Sequence, residues 1–142
     1  FYAGTIKVYA DYREFLYTIT GFSNPTGMTF DNNGNLYVAN NGNGTISKIA
    51  VGGVITHNFI TGLSNPYGIV YDSFTNKIFI SNYSANEIAQ ADATTGGAKS
   101  TFKAGITACT GISRNSYGDL IVAQASPNKI ILISPDGLVK DL

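Results

Sequence analysis

An all-β fold is predicted by three features of this 142-residue chain. Apolar residues, 44% of the total, fall in short runs with a period of about two, filled by the β-branched and aromatic side chains that suit a pleated strand. No segment sustains the 3.6-residue period of an amphipathic helix. A block of sequence also returns in phase: Gly21-Phe22-Ser23-Asn24-Pro25-Thr26-Gly27 comes back as Gly62-Leu63-Ser64-Asn65-Pro66-Tyr67-Gly68, and more loosely as Gly105-Ile106-Thr107-Ala108-Cys109-Thr110-Gly111, at intervals of 41 and 43 residues. That spacing fits the roughly 40 to 50 residues of a four-stranded propeller blade. The predicted fold class is therefore a β-propeller, present as about three and a half four-stranded blades of a larger one.

Residues 1–20 open the arc as the last two strands of a preceding blade, because Gly4-Thr5-Ile6-Lys7-Val8 reads like Gly44-Thr45-Ile46-Ser47-Lys48. Residues 21–61 form the next blade, with strands near 27–31, 36–40, 45–50 and 54–60. Residues 62–104 form another, with strands near 68–72, 77–82, 86–91 and 98–103. The last, 105–142, places strands near 110–114, 119–124, 128–133 and 137–142. The second strands carry the register, since Asn35-Leu36-Tyr37-Val38-Ala39-Asn40 matches Lys77-Ile78-Phe79-Ile80-Ser81-Asn82 and Asp119-Leu120-Ile121-Val122-Ala123-Gln124. Asn33-Gly34, Gly52-Gly53, Gly96-Gly97, Tyr117-Gly118-Asp119 and Asp136-Gly137 supply the corners, being residues that accept positive φ.

Composition narrows the function. Nine Lys and Arg against nine Asp and Glu give a formal net charge of zero, so the field that attracts nucleic acid or an anionic membrane is missing. The loops also lack the basic face that RNA binding needs. No apolar run approaches the roughly 18 to 20 residues of a membrane span. The single cysteine, Cys109, has no partner for a disulfide and no charged neighbour in sequence, which reads as a buried structural thiol. Asp31-Asn32-Asn33-Gly34-Asn35 resembles a calcium loop but lacks the distal Glu, so a hairpin turn is expected. The lone histidine, His57, falls in an outer strand with no nucleophile beside it. No catalytic residue, metal site or cofactor is expected from this segment.

The Asn-Pro-x-Gly motif, the Asp four residues later at Asp31 and Asp72, and Gly34-Asn35-Leu36-Tyr37-Val38-Ala39 in the next strand resemble the NHL repeat and its clan of six-bladed propellers. That clan includes virginiamycin B lyase-like, gluconolactonase-like and strictosidine synthase-like proteins. The resemblance implies six blades and a whole propeller of roughly 250 to 300 residues, at the 40 to 45 residues typical of a blade. It is divergent, because the NHL pattern closes the second strand with Asp and precedes the third-strand Ile with Arg. Here those places hold Asn40, Asn82 and Gln124, then Thr45, Glu87 and Lys129. Blades are therefore expected to cohere by apolar packing and side-chain amides.

Propeller ligands sit at the mouth of the central channel, reached by the loops that lead into the innermost strand and those between the second and third. The candidate ligand-binding residues of this rim are Asn24, Thr26, Asn40, Asn43, Asn65, Tyr67, Asn82, Tyr83 and Gln124, with Asn41 and Ser126 beside them. They form a neutral hydrogen-bonding surface with two aromatic rings, unlike an acid–base site. The expected function is a non-catalytic scaffold that binds a protein, peptide or glycan, or serves as a structural surface component. The alternative is a lactonase- or lyase-type enzyme whose catalytic residues stand on other blades. The other partners expected are the remaining blades of the same propeller. Low charge and the sequons Asn43-Gly44-Thr45 and Asn82-Tyr83-Ser84 favour an extracellular or surface location.

Overall fold

Repetition of the motif becomes repetition of a sheet. The computed structural model describes residues 4–10 and 14–142. Of the half-blade expected over 1–20, residues 1–3 and 11–13 lie outside the described part. What is described there is an antiparallel pair, β1 (Gly4–Tyr9) and β2 (Phe15–Phe22). A four-stranded antiparallel blade follows: β3 (Pro25–Phe30), β4 (Leu36–Asn40), β5 (Thr45–Ile49) and β6 (Ile55–Thr61). The next blade is β7 (Pro66–Asp72), β8 (Lys77–Asn82), β9 (Glu87–Asp92) and β10 (Gly96–Ala104), and a short β6–β10 pairing joins the two into one eight-stranded sheet. The last is β11 (Cys109–Arg114), β12 (Leu120–Gln124), β13 (Lys129–Ile133) and β14 (Val139–Asp141). A 3-10 turn, Tyr83–Ala85, lies between β8 and β9.

The first strands β3, β7 and β11 pack side by side, and the x-Gly of the motif is what lets them. In each blade the pairing of first and second strands shifts register across this dipeptide, between Pro25 and Met28, Pro66 and Ile69, and Cys109 and Ile112. The resulting bulge presses backbone against backbone. A Cβ on Gly27 would lie 2.4 Å from Tyr67 O, and one on Gly68 would lie 2.4 Å from Thr110 O. Thr26 adds a hydroxyl directed at the next blade, with Oγ1 at 3.0 Å from Pro66 O and 3.1 Å from Tyr67 O.

The core lies between blades. Tyr37, Ala39, Ile46 and Ile60 meet Ile69, Ile78, Ile80 and Ala89 in one cluster. Phe79 and Ile88 meet Cys109, Leu120, Val122, Ile131 and Ile133 in a second. Phe22 of the half-blade meets Val38 and Ile49 in a third. Adjacent residues of one strand thus serve different cores, as Val38 and Tyr37 do, or Phe79 and Ile80. The strand pattern of one half-buried face expected from the period of two is corrected for β4 and β8, which are buried on both faces from Tyr37 to Asn40 and from Ile78 to Asn82. Only strands between two sheets need apolar groups on both sides.

Gly96 stands at the β9–β10 hairpin corner as expected, with φ of 63° and paired with Asp92. Asp92 clasps the turn, its Oδ1 accepting from Thr94 N and Thr95 N at 2.8 Å each. From this corner β10 runs parallel beside β6, pairing Gly97 with Ile60 and Ala98 with Thr61. A Cβ on Gly96 would meet Phe59 O at 2.2 Å. The expectation of amides in place of charges needs correction. Asp72 and Arg114 form an ion pair between blades at 2.9 Å, and Glu87 pairs with Lys99 inside one blade.

The residue preceding each inner strand is left-handed, with φ of 48° at Asn24, 52° at Asn65 and 47° at Ala108. Asparagine tolerates that region and alanine does not, at roughly 1–2 kcal/mol per residue. Ala108→Gly is therefore expected to stabilise the fold by about 0.5–1 kcal/mol, measured as a higher urea midpoint with an unchanged slope.

Candidate functional site

The loops leading into β3, β7 and β11 and those joining second to third strands emerge at one end of the sheets, as the alternation of antiparallel strands requires. Here the left-handed Asn24 and Asn65 extend their amides along the surface. Asn24 Nδ2 donates to Asn41 Oδ1 at 3.3 Å, Asn65 Nδ2 approaches the same oxygen at 3.4 Å, and Ser84 Oγ donates to Asn65 Oδ1 at 2.7 Å. Asn41 Nδ2 donates in turn to Pro66 O at 3.2 Å. The 3-10 turn that carries Ser84 also brings the Tyr83 ring against Tyr67, with centroids 5.3 Å apart and planes tilted by 51°. A continuous strip of amide, hydroxyl and paired aromatic groups therefore crosses from one blade to the next. Beyond Tyr83 it reaches an open groove of about 520 Å³ bordered by Asn86, Thr107 and Ser126.

Asn24, Thr26, Asn65, Tyr67 and Tyr83 are thus brought together on this rim. Asn40, Asn82 and Gln124 are not, and their placement among ligand-binding candidates is corrected. They are 2%, 0% and 7% exposed, and their amides are spent inside the blade. Asn40 Oδ1 accepts from Ser23 N at 3.2 Å and Asn82 Oδ1 from Ser64 N at 2.6 Å, so each amide satisfies the incoming loop of its own blade. Gln124 reverses the polarity, its Nε2 donating to Thr107 O at 2.7 Å. Strand position explains the burial of Asn40 and Asn82: β4 and β8 are buried on both faces up to their last residue, so an amide of either parity there lies inside. Asn43 is exposed but stands apart from the strip, accepting from Thr45 Oγ1 at 2.9 Å. Of the two sequons, only the one at Asn43 presents its amide outside the fold. Ser84, which completes the strip, was not among the candidates, and only its sequence distance from Tyr83 pointed to it.

Other reactive groups are occupied structurally. Cys109 is fully buried, and burial pushes its thiol up to about 11, far from a nucleophile's range. His57 lies in β6 with its ring 6.2 Å from Phe22, on the outer side of the blade. Asp31 clasps the hairpin turn expected of it: Oδ1 accepts from Asn33 N and Asn35 N at 2.9 Å each, and Oδ2 from Asn35 Nδ2 at 2.7 Å. Among the described residues no group of three His, Cys, Asp or Glu side chains is placed to hold a metal ion.

Four-stranded antiparallel units whose first strands pack side by side, with cores between the units, define a β-propeller, here an arc of three full blades and a two-stranded remainder. The NHL repeat is the family description that matches, over residues 22–49, from the last residue of β2 through β3, β4 and β5. Solved structures agree. A virginiamycin B lyase from Staphylococcus aureus is similar with a TM-score of 0.67 at 21% identity, over 82% of this chain and 40% of that one. Nidogen in a nidogen/laminin complex is similar with a TM-score of 0.79 at 18% identity, over 98% of this chain and 58% of that one. A protein of unknown function from Bacteroides caccae gives 0.70 at 13% identity, over 99% and 54%. The chain thus spans 40–58% of the length of these structures. No curated protein matches the sequence. These likenesses establish the architecture, which both a lyase and a complex-forming protein share.

Proposed function

We propose that the chain is a non-catalytic binding scaffold that meets a protein partner across its rim, outside the cell or at its surface. The observation that carries this reading is the strip from Asn24 through Asn41 and Asn65 to Ser84, with Tyr67 and Tyr83 paired beside it. It is neutral, extended and preorganised by its own hydrogen bonds, so little side-chain entropy is lost when a partner covers it. Paired tyrosines give such a surface an apolar centre with polar tips. The nidogen structure similar to this chain forms a complex with a protein, laminin, which supports a macromolecular ligand over a small one.

The test is a panel of folded proteins, peptides and glycans presented to the intact protein. Saturable binding to a folded protein is expected, weakened about tenfold or more by Tyr67→Ser with Tyr83→Ser and unaffected by Phe74→Ser at the opposite end of the blades. Binding confined to glycans would replace the partner class. Opening of a lactone or macrocyclic ester by the intact protein would overturn the scaffold reading in favour of an enzyme with catalytic residues on other blades.

A further inference from the structure

Two junctions between full blades use the same repeat positions and end differently. The repeat pairs Tyr37 with Phe79, Lys48 with Gln90 and Ala93 with Pro135. At the first junction Tyr37 Oη donates to Ala93 O at 2.7 Å, and Lys48 Nζ donates to the same carbonyl at 3.0 Å while lying 4.9 Å from the Phe59 ring. A hydroxyl and an ammonium so plug that junction, at the end of the blades opposite the rim. At the second junction Phe79 has no hydroxyl, and Gln90 turns its oxygen to Lys77 Nζ at 3.0 Å. The plug is missing, and a cleft of about 360 Å³ remains between the turns Phe74–Lys77 and Asn115–Asp119. That volume lies at the small end of ligand pockets.

The lining is aromatic below and cationic at the side. Phe79 and Phe102 meet edge to face at 4.9 Å on the floor. Arg114 borders the cleft with Nε 2.9 Å from Asp72 Oδ1, yet Nε is buried and makes no hydrogen bond among the described residues. The pair is held by charge, and the buried Nε faces Asp72, not the cleft. Among the described residues the one hydrogen bond of the guanidinium is Nη1 to Asn115 O at 3.3 Å. Asp72 is already engaged by Phe74 N at 3.1 Å and Thr75 Oγ1 at 2.5 Å. Lys77 brings a second positive charge to the lining, so one acid faces two bases. Phe74, whose ring lies 4.9 Å from the Arg114 guanidinium, and Tyr117 stand at the mouth, 79% and 86% exposed. No other large apolar side chain among the described residues is as exposed.

We infer that this cleft is a second binding site, independent of the rim, for a small aromatic carboxylate. Its ring lies among Phe79, Phe102, Phe74 and Tyr117, and its carboxylate meets the terminal Nη2 of Arg114 and the charge of Lys77. A free aromatic acid and the C-terminal aromatic residue of a peptide offer the same chemistry.

Calorimetric titration of the intact protein with 3-phenylpropionate, 3-phenylpropionamide and phenethylamine tests it. The acid is expected to bind saturably and about tenfold or more tighter than the amide, the worth of a charge-assisted hydrogen bond, with no binding of the amine. N-acetyl-phenylalanine run against acetyl-Gly-Gly-Phe separates the sources, since a peptide ligand binds at least as well as the short acid and a free acid excludes the longer chain. The double variant Phe79→Tyr/Gln90→Lys rebuilds the plug of the first junction and is expected to abolish binding with the fold intact. Phe74→Ser/Tyr117→Ser, confined to exposed side chains, is expected to weaken it about tenfold. Equal affinity for acid and amide, undiminished binding by folded Phe79→Tyr/Gln90→Lys or by Phe74→Ser/Tyr117→Ser, or no saturable binding of the acid overturns the inference.

Discussion

Gly68→Ala is expected to cost about 3 kcal/mol, at the upper end of overpacking effects, and to lower the thermal midpoint by about 10 °C. The added Cβ would sit 2.4 Å from Thr110 O, 2.9 Å from Ile112 N and 3.0 Å from Ile112 Cγ2. Two of these are backbone atoms held in β11, so no rotamer change relieves the clash, and the two inner strands must separate. Gly27→Ala meets Tyr67 O at the same distance and belongs to the same class. Gly111 occupies the third copy of the motif, yet the nearest atom to its Cβ is Ala123 Cβ at 3.8 Å, an ordinary contact. Gly111→Ala is expected to stay within about 0.5 kcal/mol of the parent. Denaturant melts of the three variants check this as a set. A penalty at Gly111 matching that at Gly68 means that another backbone packs on β11 in solution. The exposed Met28 on β3 and Ile130 on β13 belong to the same consideration, being apolar side chains that these sheets leave uncovered.

The Gly27 and Gly68 contacts show why the architecture could be read from one sequence. A blade has to bring backbone against backbone at the same place in every repeat, and only glycine after a bulge allows it, so the constraint is written as a period. Second strands, such as 36–40 and 77–82, were legible because β-branched runs at fixed offsets leave few alternatives. First strands began two residues earlier than expected in two blades, since Pro25 and Pro66 pair across the bulge with Asn40 and Asn82. The rim was half legible. Loop position alone identified Asn24, Asn65, Tyr67 and Tyr83, but it also drew in Asn40, Asn82 and Gln124. Those are the last residues of second strands, and they share the burial of the strand and not the exposure of the loop beyond it. The cleft at the other end went unread for the opposite reason. It arises where the repeat breaks, at Phe79 for Tyr37 and Gln90 for Lys48, and a search for likeness passes over such differences.

Asn82→Ala is expected to cost about 1–2 kcal/mol, because it removes a buried amide that bonds both the incoming loop and a buried carboxylate, at roughly 1 kcal/mol for each hydrogen bond lost. Ser64 N loses its acceptor at 2.6 Å, and Glu87 Oε1 loses a donor at 2.7 Å. Glu87 is the more sensitive of the two. Burial works to raise its carboxyl, but the Lys99 ammonium, the Thr101 hydroxyl at 2.5 Å and the Asn82 amide outweigh burial and hold it below the ordinary carboxylate range. A depressed folded value contributes stability that is fully present above the ordinary value of 4.5 and is lost as pH falls through the folded one. Stability measured by urea melts is therefore expected to decline below about pH 4.5, and Glu87→Gln is expected to flatten that decline while lowering stability at neutral pH. Asn82→Asp keeps the acceptor for Ser64 N and sets a second carboxylate against Glu87. It is expected to destabilise most at neutral pH and to recover part of the loss on acidification, as one of the two acids takes up a proton. A pH profile of Asn82→Asp parallel to that of the parent would show that Asn82 and Glu87 are not coupled, and would leave the loop hydrogen bond to Ser64 as the whole reason for an amide at this strand end.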